Sequence, residues 1–204
     1  MDIGHVVDTP VVTALRARGP ARVAVELDGV PWRVVPLEAV YGAGLVVGGT
    51  IDRSTARTLG RELRRLGAQA VALRALRARD HTAASLEQRL ATRGASATVR
   101  RDTVEAAQRA GLVDDRRFAL QRAEQLAARG SGDLLIGDDL ERQGVPPELV
   151  RLAIAALEPE ADRAGTIVEA RGSSPKTARY LASRGFSEAA LEAIIANLAA
   201  DTIG

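Results

Sequence analysis

One phrase, Leu-x-x-(Arg/Gln)-Gly, recurs along this chain. It reads Leu90-Ala91-Thr92-Arg93-Gly94, then Leu140-Glu141-Arg142-Gln143-Gly144, then Leu181-Ala182-Ser183-Arg184-Gly185. The intervals are 50 and 41 residues. Self-similarity at such a period belongs to stacked helical units rather than to one irregular core. Arrays of that kind present surfaces to partners more readily than they enclose reaction pockets. Each glycine stands where a helix end needs a left-handed residue.

The residues around the glycines keep the same period. Leu86/Leu90, Ile136/Leu140 and Thr177/Leu181 stand at i and i+4 before each turn. Val150, Ala153, Ile154 and Leu157 follow Gly144, and Leu191, Ile194, Ile195 and Leu198 follow Gly185. Both sets have the i, i+3, i+4, i+7 spacing of one buried helical stripe; in the less regular first unit Val104 and Ala107 take that part. Ser187 as N-cap, with Phe186 before it and Leu191 four residues on, makes a hydrophobic staple. Ser174-Pro175 opens a helix with Pro in its first turn. The predicted helices are 68–79, 82–93 and 97–110; then 114–129, 132–143 and 147–157; then 159–171, 175–184 and 188–199.

The start of the chain reads differently. Residues 1–20, with Pro10, Gly19 and Pro20, are expected to form a flexible arm. Arg22–Leu27 alternates as a strand, Asp28-Gly29 is a two-residue turn signal, and 30–35 resumes the β-prone run, so a hairpin is expected. Pro31 makes the second strand an edge or shifts its start. Leu37–Gly42 is a short helix, and Asp52 or Ser54 caps another through about Leu66. The expected fold is therefore mainly α: tandem three-helix repeats in a curved array behind a small β-hairpin-containing segment. The divisions are 1–20, 21–66 (an α/β segment), and repeats at 67–112, 113–158 and 159–204.

Composition agrees and excludes other classes. Apolar residues are 46% of the 204, but aromatics only 2%, which suits close helix packing better than a β-sandwich. The chain has no cysteine, so disulfides, thiol catalysis and a thiolate-bound zinc are excluded. No apolar stretch reaches the length of about 20 residues that spans a bilayer, and no signal peptide is read at the start; a cytoplasmic monomer away from membranes is expected. The net charge of +2 is unevenly spread. Residues 67–112 hold 8 Arg against 4 acids, and 113–158 hold 6 against 9.

Three phrases, in order, resemble a known family. Leu112-Val113-Asp114-Asp115-Arg116-Arg117-Phe118-Ala119 resembles the L-x-D-D-x-R-F-A phrase of the RecX regulatory proteins. Ala72-Leu73-Arg74-Ala75-Leu76-Arg77-Ala78-Arg79 is similar to that family's AL-x-x-L-x-x-R opening. Tyr180-Leu181-Ala182-Ser183-Arg184-Gly185-Phe186-Ser187 is similar to its YL-x-x-RGF-S close. The resemblance covers about residues 68–200. It implies a curved array of three-helix repeats that binds the RecA recombinase filament on single-stranded DNA and restrains strand exchange and co-protease activity. It carries no catalytic residues. The chain departs from the family in the second helix of repeat two. Family members usually carry several basic residues there; this chain has Asp133, Leu134, Leu135, Ile136, Gly137, Asp138 and Asp139.

Enzyme signals are poor. His5 and His81 are the only histidines, and no His-x-x-x-His pair exists for a metal. His81 is expected in a surface turn, Asp114-Asp115 as caps of the next helix, and Asp138, Asp139 and Glu141 as a solvated face. No phosphate loop or dinucleotide fingerprint occurs, so no cofactor, metal or catalytic residue is assigned. The arginines are the better material. Arg57, Arg61, Arg64 and Arg65 share one side of a helix, Arg74 and Arg77 lie one turn apart, and Arg89, Arg93, Arg100 and Arg101 crowd the first glycine turn. The candidate partner- or phosphate-binding set is Arg74, Arg77, Arg89, Arg93, Arg100 and Arg101, facing a RecA filament groove with direct contacts to DNA phosphate; an ordinary solvated helix face is the plainer alternative. Scattered aromatics do not support base stacking. A helix-turn-helix DNA-binding protein or transcription factor is the second reading. Its recognition helices, however, would begin Pro-Pro-Glu-Leu and Ser-Glu-Ala-Ala in two of the three units, poor material for base edges.

Overall fold

The structure, a computed structural model, describes residues 9–192. The chain divides into two compact units: Met1–Arg74 with Arg93–Thr103, and Ala75–Thr92 with Val104–Gly204. The first opens on three strands, β1 (Val12–Ala17), β2 (Arg22–Leu27) and β3 (Val30–Pro36), paired antiparallel in the order β1-β2-β3. Asp28 and Gly29 have φ of 51° and 80°, the positive values that a type I′ turn demands. Pro31 lies on the edge strand β3, opposite Glu26 just past a register shift; lacking an N–H, it is tolerated there.

The arm expected over 1–20 is a correction. Its residues 12–17 form β1, which pairs with β2 from Val12↔Leu27 to Ala17↔Val23. The side chains explain it: Val12 enters a core with Val23, Val25, Val35, Ala39, Val40, Leu45, Ile51 and Leu59. Two strands alone are marginal in water, and a third with an apolar face gives a sheet that holds. Helix α1 (Leu37–Gly42) supplies Ala39 and Val40 to that core.

Helix α2 corrects a second expectation. It runs unbroken over Arg53–Ala78, through the boundary drawn at 66/67. Asp52 starts it, its Oδ1 accepting from the Thr55 amide at 2.7 Å. These bonds, first from Thr55 and then from Ser54, hold the Asp52 carboxyl below its usual range. Gly67 lies inside α2, where nothing stands within 4 Å of a Cβ position; an interior glycine weakens a helix without ending it.

Beyond α2 come α3 (Ala83–Thr92), α4 (Ala97–Arg109), α5 (Asp115–Ala128), α6 (Asp133–Arg142), α7 (Pro147–Ala155), α8 (Glu160–Arg171) and α9 (Pro175–Ser183). A further helical run starts at 188 and reaches the last described residue, 192. Ile194, Ile195 and Leu198 of the predicted last stripe lie outside the described residues, as do residues 1–8 with His5. Helices α5, α6 and α7 enclose a core of Ala119, Ala123, Leu126, Ile136, Leu140, Val145, Val150 and Ala153. A smaller cluster, Ala164, Leu181 and Phe186, with Leu191 against it, holds α8, α9 and the next turn together. Gly94, Gly144 and Gly185 have φ of 78°, 76° and 79°, the left-handed helix ends anticipated from sequence.

Candidate functional site

The polar chemistry of the second unit gathers where one sequence repeat meets the next. The corner before α3 (Asp80-His81-Thr82) packs on the Gly144 turn, and the corner before α6 (Gly130-Ser131-Gly132) packs on the Gly185 turn. Thr82 Oγ1 donates to the Gln143 carbonyl at 2.6 Å. At the second junction the Gly132 amide donates to the Arg184 carbonyl at 2.8 Å, and the Leu134 amide to Gly185 at 3.1 Å. The approach is close. A Cβ on Gly144 would stand 2.5 Å from Ala84 Cβ, and one on Gly185 would stand 2.7 Å from Leu135 Cβ.

A carboxylate closes each junction. Asp115, the first residue of α5, accepts from the Ala83 amide at 2.8 Å. Glu160, the first residue of α8, accepts from the Asp133 amide at 2.7 Å. Each repeat thus caps the second helix of the repeat before it, satisfying a donor that a helix start leaves orphaned. The sequence predicts Asp114 and Asp115 as caps of one helix, and the structure corrects half of that. Asp114 does cap α5, accepting from the Arg117 amide at 2.9 Å, but Asp115 serves α3. Burial, opposed by the Ala83 amide, raises the Asp115 carboxyl above its ordinary range.

Two arginines complete the second junction. Arg184 donates to the carbonyls of Arg129 at 2.9 Å and Gly130 at 3.1 Å, and to Ser131 Oγ at 3.0 Å. Arg163, its side chain only 10% exposed, donates to the Glu158 and Ser131 carbonyls, both at 2.9 Å, and to Asp133. Burial and neighbouring Glu160 push the Asp133 carboxyl up, and Arg163 opposes them. Sequence reasoning missed these junction roles. Asp115 and Glu160, acids at the first positions of two corresponding helices, were the available signal.

Two acids of α6, Asp133 and Asp139, are likewise structural. Arg122 grips Asp139 with both branches, at 2.8 and 3.0 Å, and that bond holds the Asp139 carboxyl below its ordinary range. Asp138 and Glu141 are exposed. His81, expected on the surface, is also corrected. It is 5% exposed, with Nδ1 3.0 Å from Ser85 Oγ. Burial, then Arg79 and Arg89, lower its pKa. Its neighbour Thr82 is the residue of this corner that bonds the Gly144 turn.

The candidate arginines stand as follows. Arg74 and Arg77 are exposed on α2, Arg89 on α3, and Arg93 at the first glycine turn. Arg100 is half-buried on α4 and donates to the Ala95 carbonyl at 3.0 Å. Arg101 pairs with Asp102 at 3.5 Å across open solvent. Arg74, Arg93, Arg100 and Arg101 belong to the first unit, Arg77 and Arg89 to the second.

A hollow of the second unit lies near the first junction. Of about 230 Å³, it is lined by Arg79, Asp80, Phe118, Gln121, Arg122 and Gln143, and its Arg122 is already committed to Asp139. Among the described residues no group of three or more His, Cys, Asp or Glu could hold a metal ion, and no helix is long and apolar enough to cross a membrane.

Fold and site together define a helical-repeat protein whose buried Thr82 and Ser131 bond across the joints between repeats. The chain is 35% identical over 124 residues to the regulatory protein RecX of Chromohalobacter salexigens, covering 56% of this chain and 82% of that protein. It is 34% identical over 153 residues to the RecX of Mycobacterium sp. strain JLS, covering 66% and 83%. A crystal structure of a regulatory protein RecX superposes with a TM-score of 0.73 at 16% identity, over 90% of this chain and 97% of that one, a likeness of fold. No family model matches the chain. The chain belongs to the RecX family of regulatory proteins.

Proposed function

We propose that this chain binds the RecA recombinase filament on single-stranded DNA and restrains strand exchange and co-protease activity, acting in the cytoplasm without catalysing a reaction itself. The observation that carries the reading is the pairing of family membership with six arginines, five of them exposed, on a repeat of net positive charge. Residues 67–112 carry Arg74, Arg77, Arg89, Arg93, Arg100 and Arg101, within 8 Arg against 4 acids. Guanidinium groups suit phosphate oxygens and acidic side chains, both of which a nucleoprotein filament offers. The repeats at 67–112, 113–158 and 159–204 would form the contact surface. Repeat one leads it, because the acids Asp133 and Asp139 of repeat two are tied to Arg163 and Arg122.

Titrating the pure protein into RecA on single-stranded DNA is expected to lower the ATPase and strand-exchange rates. Unchanged rates at saturating protein would defeat the proposal. Replacing Arg89, Arg93, Arg100 and Arg101 together with Gln is expected to weaken filament binding by about tenfold or more, roughly 1.4 kcal/mol, with an unchanged circular dichroism spectrum. Equal affinity would remove these residues from the contact. Discrimination among DNA sequences without RecA, read by gel shift, would favour the DNA-binding alternative.

A further inference from the structure

The two junctions inside the chain repeat one contact: a corner that begins the second helix of one repeat sits on the glycine turn that ends the second helix of the next. Corners are present before α3, α6 and α9; glycine turns are present after α3, α6 and α9. Two of each are used. His81, Thr82 and Ser131 of the first two corners are 5%, 0% and 1% exposed. In the third corner Gly172, Ser173, Ser174, Pro175 and Lys176 are all exposed. Likewise the Gly144 and Gly185 turns are covered, whereas nothing lies within 4 Å of a Cβ position at Gly94. One corner and one turn are left over, the corner in the last repeat and the turn in the first.

We infer that the Gly94 turn of one copy takes the Gly172–Lys176 corner of a second copy, head to tail, by the same contact that joins the repeats within a chain.

The leftover corner has the chemistry of the used ones. Ser174 Oγ accepts from the Thr177 amide at 3.2 Å, as Thr82 Oγ1 accepts from Ser85 at 3.0 Å. It is the Thr82 hydroxyl, so placed, that donates to the Gln143 carbonyl; Ser174 stands to donate equally to the Arg93 carbonyl. The first helical residue differs, and the difference fits. Ala83 and Asp133 each have an amide that needs a carboxylate from the following repeat. Pro175 has no such N–H. A following copy would bring α2, which runs continuously through this region and has no first-turn carboxylate there to give. At the turn, Arg93 holds the position of Arg184, whose guanidinium grips the carbonyls of Arg129 and Gly130 across the junction. The corresponding carbonyls in the second copy belong to Arg171 and Gly172. A nucleic-acid phosphate is the poorer occupant, because carbonyls at a helix end repel anions and attract the N–H groups of a helix start.

The chain's lack of cysteine gives a clean test. Ser96 lies beside the Gly94 turn and Ser173 in the corner, and both are exposed. Ser96→Cys and Ser173→Cys proteins are mixed at roughly millimolar concentration, suited to a weak contact, and treated with a short bismaleimide. Crosslinked dimer is expected in the mixture and not in either protein alone, and the double variant is expected to give a ladder of multimers. Adding Arg93→Glu is expected to cut the yield about tenfold. No dimer above the single-cysteine controls, together with monomer by sedimentation velocity at every concentration, would overturn the inference. A yield indifferent to Arg93→Glu would overturn it as well.

Discussion

A buried histidine is where this fold meets pH most directly. His81 is 5% exposed, and burial together with Arg79 and Arg89 disfavours its protonation, against a smaller opposing pull from Asp80. Its folded pKa lies below the ordinary value near 6.5 that the unfolded chain restores. The unfolded state therefore binds the proton more tightly, so stability is full above about pH 6.5 and falls as the pH drops below it. Asp115 and Asp133 carry raised pKa values, so protonating them favours the fold and opposes the effect of the histidine. Urea denaturation between pH 7.5 and 5.5 is expected to show a falling midpoint, and His81→Gln should flatten that fall. An equal slope in the variant would place the acid sensitivity elsewhere. Little of this was legible in the sequence. A histidine between Asp80 and Thr82 has the neighbours of a surface turn, and the long-range bond beside it, from Thr82 to a residue 61 positions away, leaves no local signal.

At the scale of elements, two glycines of one short region have opposite meanings. Gly132 is the N-cap of α6, and a Cβ there would overlap the Gly185 carbonyl oxygen and the Phe186 nitrogen. Both are backbone atoms of a closed turn, so nothing nearby can yield cheaply. Gly137 lies inside α6, and a Cβ there would meet Ile154 Cδ1 at 3.7 Å and Val150 Cγ1 at 3.9 Å, ordinary contacts. Gly132→Ala is accordingly expected to cost about 2–3 kcal/mol by overpacking. Gly137→Ala should gain about 1 kcal/mol of helix propensity, and denaturation midpoints moving in opposite directions would check both. Destabilisation by Gly137→Ala would mean the α6–α7 contact has no room for a methyl. The helices themselves were largely readable, because their apolar spacing and their Ser, Asp and Gly ends are local signals. The join between repeats was not. It depends on Asp115 and Glu160 reaching back across 32 and 27 residues, and sequence shows an acid at a helix start without showing which helix it caps.

For the whole molecule, the misplaced boundaries share a cause. A short β-prone segment bracketed by Gly and Pro reads as an arm until another strand is known to need it, and Gly67 reads as a stop until the helix is seen to continue. The repeats beyond are tied mainly to their neighbours, which makes their stability a sum of local terms and junctions rather than one cooperative block. Within the second unit those terms are unequal. The α5–α7 repeat encloses eight buried residues, while the α8–α9 repeat rests on Ala164, Leu181 and Phe186, with Arg163 over the Phe186 ring at 5.9 Å. Phe186→Ala removes most of that smaller core, a loss of about 3–5 kcal/mol, more than a sub-global opening energy leaves to spare. Hydrogen exchange of the variant is expected to show lost protection in α8 and α9 with α5, α6 and α7 still protected. The Glu160 cap and the Arg184 grip would go with them, so amides at the start of α6, Asp133 above all, should exchange faster while Ile136 and Leu140 stay slow. Uniform loss of protection across α5–α9 would show instead that the junctions bind these helices into a single unit, and the repeat-by-repeat account of stability would fall with that result.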